Sequence, residues 1–216
     1  MVNIEFFILC FSSLFALINP IGNIPIFITL TENYTQLERN KIALKAVIFS
    51  FLVLLIFAMI GELIFSFYGI TIHAFRIAGG ILLFKISLDM VESKRSRTRT
   101  TPSEIEEAEE KDEIAFTPIG IPLIAGPGSI ASIMILSSET NNYGENILLY
   151  KFYLFSALVF VLILTFLTFK VSKFLSKYFG KSGLRIMQRI MGLILMVISI
   201  EFILKGLHDT IINWSL

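Results

Sequence analysis

Charged side chains and cysteine are both scarce in this chain of 216 residues. Asp, Glu, Lys and Arg make up 16% of the sequence, whereas they make up about one quarter of an ordinary soluble domain. The formal net charge of +1 gives no basic surface for nucleic acid, so we expect no nucleic-acid partner. The single cysteine, Cys10, cannot close a disulfide within the chain, and no group of Cys and His has the spacing of metal ligands. We therefore expect no cofactor and no structural metal.

Hydrophobic residues are abundant instead and make up 55% of the chain. About 20 apolar residues in a helix cross the hydrocarbon of a bilayer, where no backbone group can be left unpaired. Six segments meet this condition, and we predict spans at residues 4–30, 45–67, 71–91, 114–137, 149–170 and 185–206. The predicted fold class is an all-α integral membrane protein with six transmembrane helices, and the lipid bilayer is its first expected partner.

Lysine and arginine are concentrated in the loops that follow the first, third and fifth predicted spans. Short loops rich in these residues stay on the cytoplasmic side of a membrane. Both termini are therefore predicted to lie on the non-cytoplasmic side. The basic residues of the three loops are Arg39, Lys41 and Lys45, then Lys94, Arg95, Arg97, Arg99 and Lys111, then Lys170, Lys173, Lys177, Lys181 and Arg185.

The sequence also contains a weak internal repeat. Residues 76–82 and 189–195 share the frame R-I-x-G-x-I-L at a distance of 113 residues, and Gly22 and Gly128 stand in similar Gly/Pro clusters 106 residues apart. Each unit holds three spans, an odd number, so the second copy must cross the bilayer in the opposite sense, as in many secondary transporters. We predict a first three-helix repeat, a cytoplasmic charged linker and a second three-helix repeat at residues 1–91, 92–113 and 114–216.

Clusters of proline and glycine interrupt spans one and four, which we predict to be broken or re-entrant. The two ends of a broken helix suit a zwitterion, because N-terminal N–H groups attract a carboxylate and C-terminal carbonyls attract an ammonium. Asn19, Asn23 and Ser129 add neutral donors and acceptors. The alternative is that these residues only kink or pack the helices. The predicted substrate-binding residues are Asn19, Pro20, Gly22, Asn23, Pro25, Gly126, Pro127, Gly128 and Ser129.

These strings resemble the MarC family of bacterial and archaeal inner-membrane proteins. The likeness rests on N-P-x-G-x-x-P at residues 19–25 and P-x-x-x-G-P-G-S at residues 122–129, and it covers nearly the whole chain. The resemblance implies a place in the bacterial or archaeal inner membrane, among the LysE-type exporters, and SnatA-like transport of small neutral amino acids. The acidic stretch 104–113 and Glu201 depart from the family pattern.

Ionisable residues inside a span are costly and indicate function by default. The candidates for coupling or gating are Glu62, Arg76, Arg189 and Glu201. Glu62 and Arg76 are expected to pair as a structural clamp, or else to take part in proton coupling or substrate access. Glu201 is expected to pair with Lys205. The coupling ion implied is a proton or sodium.

The leading hypothesis is a secondary transporter or exporter of a small neutral solute, most simply an amino acid such as alanine or glycine, that works by alternating access between the repeats. The alternative is a non-transporting membrane protein with an assembly or regulatory role. An enzyme is not expected, because the chain lacks H-E-x-x-H, paired intramembrane aspartates and G-x-S-x-G with a base. A homo-oligomer is a further expected partner.

The predicted orientation can be tested with a cysteine reporter in the 94–113 loop, placed in a Cys10→Ala background. A cytoplasmic loop is shielded by the bilayer, so we expect the reporter to resist an impermeant maleimide added to intact cells and to react after the cells are opened. Ready labelling of intact cells would reverse the topology.

Overall fold

A computed structural model describes residues 4–92 and 111–214, and within these ranges the chain is helical and contains no strand. A π-helical segment, Ala115–Ile124, and a 3-10 segment, Thr140–Asn146, join the α-helices. Most of the predicted linker 92–113 lies outside the described residues. The α-helices are α1 (Ile4–Ile18), α2 (Ile24–Leu30), α3 (Gln36–Tyr68), α4 (Ile72–Val91), α5 (Lys111–Ile114), α6 (Pro127–Glu139), α7 (Ile147–Lys170) and α8 (Ser172–Trp214).

Three stretches are long and apolar enough to cross a membrane, namely Gln36–Gly61, Pro127–Lys170 and Ser182–Ile212. Shorter apolar helices cover Ile4–Ile18 and Ala115–Ile124. In the most apolar window of each of these stretches, 33, 39 and 28%, respectively, is buried inside the protein. Most of their apolar surface therefore faces outward, as hydrocarbon requires and water does not tolerate over so large an area.

The helix ends follow local sequence chemistry. α3 begins at Gln36, nine residues before the predicted span, because Thr35 and Glu38 form a capping box. In that box the Thr35 N–H donates to Glu38 Oε2 at 2.9 Å. α3 ends at Gly69, whose φ of 64° lies in the left-handed region that favours glycine. Thr71 then starts α4 by accepting the N–H of Ala74 at 3.1 Å.

The sixth predicted span belongs to a longer helix with a break. α8 runs from Ser172 to Trp214, and Gly180 interrupts it with a φ of 60° and a ψ of 179°. The apolar stretch after this break, Ser182–Ile212, contains the predicted span 185–206. The first part of α8, before the break, is a short helix of about two turns that follows α7, and the sequence pattern did not predict it.

Helices from the two predicted units pack against one another in pairs. α4 lies along α8, α1 packs against α7, and α3 packs against both α6 and the π-helical segment. The α4–α8 contact is close because glycine meets backbone: a Cβ on Gly80 would stand 2.9 Å from the Ser199 carbonyl oxygen, and one on Gly206 would stand 2.9 Å from that of His73. The two helices are therefore antiparallel neighbours with little space for side chains between them.

Filling this contact should destabilise the protein. A leucine at Gly80 must push α4 away from Ser199 and Ile203, and overpacking of this kind costs about 1–3 kcal/mol. We expect Gly80→Leu to lower the thermal unfolding midpoint in detergent by several degrees. Ala78→Leu is the matched control, because Ala78 is exposed on the same helix. Equal midpoints for the two variants would contradict the close packing.

Candidate functional site

The first interruption lies where α1 ends at Ile18 and α2 begins at Ile24. Asn19 adopts a φ of 47°, in the left-handed region that asparagine tolerates better than most residues. The Asn19 N–H still donates to the Phe15 carbonyl at 2.9 Å, and the Asn23 N–H donates to the Asn19 carbonyl at 3.1 Å. The chain therefore turns tightly here, and the predicted break in span one is present.

The two asparagines hold this turn together through their side chains. Asn23 Nδ2 donates to the Ile18 carbonyl at 2.7 Å, which satisfies a carbonyl left free at the end of α1. Asn19 Oδ1 accepts the N–H of Gly22 at 3.1 Å. A Cβ on Gly22 would overlap the Asn19 side chain, so glycine is required there. Of these amides, Asn19 Nδ2 is buried and has no hydrogen-bond partner in the described part of the chain.

The two prolines of the first motif have different surroundings. Pro20 is buried, whereas Pro25 is exposed in the first turn of α2, where proline favours helix initiation because its missing N–H would have no partner. Pro25 therefore shapes the chain and does not face the interior.

The second interruption begins in the π-helical segment. Thr117 and Ile121 have extended backbone angles, each directly before a proline. Gly126 then precedes α6 in an extended conformation, and Pro127 occupies the first turn. Gly128 and Ser129 follow and are both buried. Because no side chain caps α6, its N-terminus presents free N–H groups to the interior.

Ser50 on α3 is part of this second interruption, although sequence reasoning missed it. Its hydroxyl contacts the carbonyl of Ala46 at 2.7 Å and that of Gly120 at 3.1 Å. Gly120 sits inside the π-helical segment, where its carbonyl also accepts the Ala125 N–H at 2.8 Å. The only sequence signal was a small polar residue within a long apolar span.

A small cavity joins the second interruption to the end of α1. Gly126, Pro127, Gly128 and Ser129 line it together with Leu17 of α1 and Ile86 of α4, among others. About 20 Å³ is open to the centres of water molecules, which is room for about one water. A Cβ on Gly128 would stand 3.1 Å from Leu17 Cδ2 and 2.9 Å from Ile86 Cδ1. The second predicted motif thus contacts Leu17, which is two residues before Asn19 of the first motif, around a space for about one water.

The candidate coupling residues do not line this cavity. Arg76 pairs with Asp209 through Nη1 and Oδ2 at 2.9 Å, and its side chain is 5% exposed. Arg189 and Glu201 lie on the exposed surface of α8. The expected Glu201–Lys205 pair is replaced by contact of Lys205 Nζ with Glu139 Oε1 at 3.4 Å. The side chain of Glu62 lies outside the described part of the structure, and with it the expected Glu62–Arg76 pair.

A larger groove follows α6 beyond the cavity. It measures about 360 Å³ and lies between α3, α6 and α7. Ile133 and Ser137 line it, and Lys151 stands at its exposed edge. Ile133 is one helical turn beyond Ser129, so the groove begins close to the cavity along the same helix.

The opposite end of α3 is tightly packed. The Arg39 residue there is 1% exposed, with its guanidinium carbon 5.6 Å from the centre of the Phe27 ring. Phe27 in turn stacks on Phe169 at 4.4 Å. Arg39 Nη2 donates to Ser172 Oγ at 3.1 Å. Side chains of α2, α3, α7 and α8 therefore close this end, about 28 Å along α3 from the groove at Ala58.

Long apolar helices with outward-facing apolar surface, interrupted twice at buried Gly/Pro turns, define a multi-pass helical membrane protein. The sequence profile of the MarC family, described as integral membrane proteins, matches residues 4–211. The chain belongs to this family, which confirms the resemblance seen in the two motifs.

Several curated relatives are similar over nearly their whole length. The UPF0056 membrane protein YvbG of Bacillus subtilis is 44% identical over 94% of this chain and 94% of its own. A UPF0056 membrane protein of Methanocaldococcus jannaschii is 43% identical over 98% of this chain and 100% of its own. The Escherichia coli protein YhcE is 34% identical over 91% of this chain and 89% of its own. No solved structure matches the chain.

The capping role of Asn23 gives a direct test of the first interruption. Asn23→Ala removes the donor to the buried Ile18 carbonyl, and an unsatisfied buried carbonyl costs about 1–3 kcal/mol. We expect a lower thermal unfolding midpoint in detergent. Asn142→Ala is the control, because Asn142 is exposed in the 3-10 segment. An unchanged midpoint for Asn23→Ala would show that this hydrogen bond is dispensable.

Proposed function

We propose that this protein is a secondary transporter or exporter of a small neutral solute, most simply an amino acid such as alanine or glycine. The observation that carries the proposal is the buried, uncapped N-terminus of α6, which meets the last turn of α1 at a small cavity. No enzymatic role is proposed.

The chemistry of this site suits a zwitterion. The N–H groups of Gly128 and Ser129 attract a carboxylate, and the helix dipole adds positive partial charge. Asn19, two residues after the cavity-lining Leu17, has a side-chain NH2 group without a hydrogen-bond partner among the described residues. No fixed charge among the described residues lines the cavity, so a neutral solute leaves no buried charge uncompensated.

The pairing of helices supports two inverted repeats, at residues 1–91 and 114–216. In this scheme α1 with α2 corresponds to the π-helical segment with α6, α3 to α7, and α4 to α8. The observed contact of α1 with α7 then corresponds to that of α3 with the π-helical segment. Exchange of the units leaves the contact of α4 with α8 unchanged. Pairing that is unchanged when the units are exchanged is what a pseudo-two-fold axis in the membrane plane requires.

Transport requires this site to open, because a cavity for one water cannot hold an amino acid. The groove beside Lys151 and the packed end at Arg39 lie in corresponding parts of the two repeats and differ in openness. We infer that the site opens first toward the groove. When the two repeats exchange their conformations, the site opens toward the Arg39 end instead. From the distribution of lysine and arginine, the groove side faces away from the cytoplasm.

We also propose that solute transport is coupled to a proton or a sodium ion. Of the candidate residues, Arg76 is buried in an ion pair with Asp209, which ties the start of α4 to the end of α8. Such a pair serves as a clamp or a gate at the outer end of the two helices. Arg189 and Glu201 are exposed on α8 and line neither the cavity nor the groove, so any role in coupling stays a prediction.

Flux measurements test this function. Purified protein in liposomes loaded with labelled alanine or glycine should exchange label with unlabelled solute outside. Ser129→Ala removes a hydroxyl from the cavity, and Gly128→Leu fills the cavity. We expect the first to slow exchange by about tenfold, the value of one lost hydrogen bond, and the second to abolish it.

Ser156→Ala is the matched control, because this half-buried serine on α7 bonds only its own helix, at the Tyr153 carbonyl. Its exchange rate should equal that of the unaltered protein. Absence of flux over a broad amino-acid panel, with sodium and proton gradients each imposed, would contradict transport. That result would favour the alternative, an assembly or regulatory protein whose interruptions serve only packing.

A further inference from the structure

The groove between α3, α6 and α7 has an apolar floor and opens at the surface of the protein. Ile133, Leu154 and Leu158 line its floor and are buried. Met59 and Phe155 stand at its rim and are 72 and 44% exposed. Its volume of about 360 Å³ is within the range of sites that hold small organic molecules, about 300–1,000 Å³. The groove can therefore hold an apolar group of that size.

The surface around this opening is apolar. On α3, Ile56 and Leu63 lie one turn on either side of Met59, and both are exposed. On α7, Phe152 precedes Phe155 by one turn and is exposed as well. Both helices contribute to stretches that are long and apolar enough to cross a membrane. In a bilayer the rim of the groove therefore faces lipid, and an acyl chain can enter the groove from the side.

A positive charge stands at one end of the groove. Among the described residues, Lys151 is the single charged residue in the groove lining. It lies one turn after the start of α7 at Ile147, and the largely exposed 3-10 segment, Thr140–Asn146, directly precedes that start. Leu158, at the other end of the groove, is seven residues further along α7, or about 10 Å deeper. The groove therefore runs from the surface of the bilayer toward its midplane.

Polar side chains near this end already have partners within the protein, with the exception of Lys151. Ser137 in the groove wall donates its hydroxyl to the Ala58 carbonyl at 2.6 Å. Lys205 of α8 contacts Glu139 Oε1, at the end of α6, at 3.4 Å. Within residues 4–92 and 111–214, Lys151 takes part in no ion pair. An anion at this end of the groove therefore meets a positive charge that no carboxylate of the described structure neutralises.

We propose that this groove binds a phospholipid with an anionic headgroup, whose phosphate lies at Lys151 and one of whose acyl chains lies along Leu154 and Leu158. The groove and the lipid match in polarity along their length, because both are charged at the bilayer surface and apolar toward the midplane. Lysine near this surface attracts an anionic lipid more strongly than a zwitterionic one, since only the anionic lipid carries a net negative charge. Burial of the acyl chain in the groove adds apolar contact.

The inference goes beyond the proposed transport and does not rest on it. Lipid binding needs only the groove, its lysine and a bilayer. If a solute reaches the cavity from the groove side, the acyl chain occupies part of that route and has to leave first. A bound lipid then slows exchange without taking part in it.

Lipid retention by the purified full chain tests this site. The protein in an uncharged detergent receives phosphatidylglycerol or phosphatidylcholine with the same acyl chains, and native mass spectrometry counts the lipid that stays bound. We expect about fivefold more bound phosphatidylglycerol, the effect of one lysine near a charged headgroup. Phosphatidylglycerol should also raise the thermal unfolding midpoint more than phosphatidylcholine does. Inorganic phosphate without lipid should leave the midpoint unchanged, because it lacks the acyl chain.

Two variants separate the headgroup contact from the groove. Lys151→Gln removes the charge and should reduce retention of phosphatidylglycerol to that of phosphatidylcholine. Its control is Lys177→Gln, which removes an exposed lysine of α8 outside the groove and should keep the fivefold preference. Ala58→Phe fills the groove and should reduce retention of both lipids several-fold. Its control is Ala78→Phe, at an exposed position of α4, which should retain both lipids as the unaltered protein does.

Any one of four results would overturn the proposal. Equal retention of the two lipids by the unaltered protein would show that the headgroup is not recognised, and a rise in the midpoint with inorganic phosphate alone would indicate a soluble anion as the ligand. Equal loss in Lys151→Gln and Lys177→Gln would show that the preference follows overall charge. Equal retention by Ala58→Phe and Ala78→Phe would place the lipid outside the groove. If Ala58→Phe unfolds in detergent, Ala58→Leu, which fills less of the groove, takes its place.

Discussion

A backbone N–H or carbonyl inside a bilayer has no water to bond, and this constraint governs both interruptions of the helices. Three side chains supply hydrogen bonds to such backbone groups. Asn23 donates to the Ile18 carbonyl, Asn19 accepts from Gly22, and Ser50 contacts the Gly120 carbonyl. The polar residues of the apolar helices thus satisfy the backbone first. The N-terminus of α6 has no side-chain cap, and the side-chain NH2 group of Asn19 has no hydrogen-bond partner among the described residues.

Glycine determines how closely the helices approach elsewhere. Gly80, Gly192 and Gly206 bring α4 and α8 together so tightly that a methyl group at any of them would meet backbone atoms at 2.9 Å. Lipid offers no hydrophobic driving force between helices, so close packing of this kind stabilises the pair. The same contact turns the opposite faces of both helices outward. This explains why Lys85 and Glu201 reach the surface of the protein.

Much of the site could be predicted from sequence, because proline and glycine act on the backbone locally. Both interruptions occur where the motifs indicated, and the family follows from the same residues. The ion pairs were harder to predict from the sequence. Arg76 pairs with Asp209, 133 residues away, and Lys205 pairs with Glu139, 66 residues away. The expected partner of Lys205 was a near neighbour in sequence, whereas the observed one comes from a different helix.

The sequence by itself determined that the chain is helical and apolar and that spans one and four are interrupted at their Gly/Pro motifs. These features depend on residues within a few positions of one another, so no distant contact is needed. Only the tertiary structure decided that Ser50 supports the second interruption and that Leu17 and Ile86 line a small cavity with Gly128. Both features depend on how far apart two helices lie, and that distance follows from packing over the whole molecule.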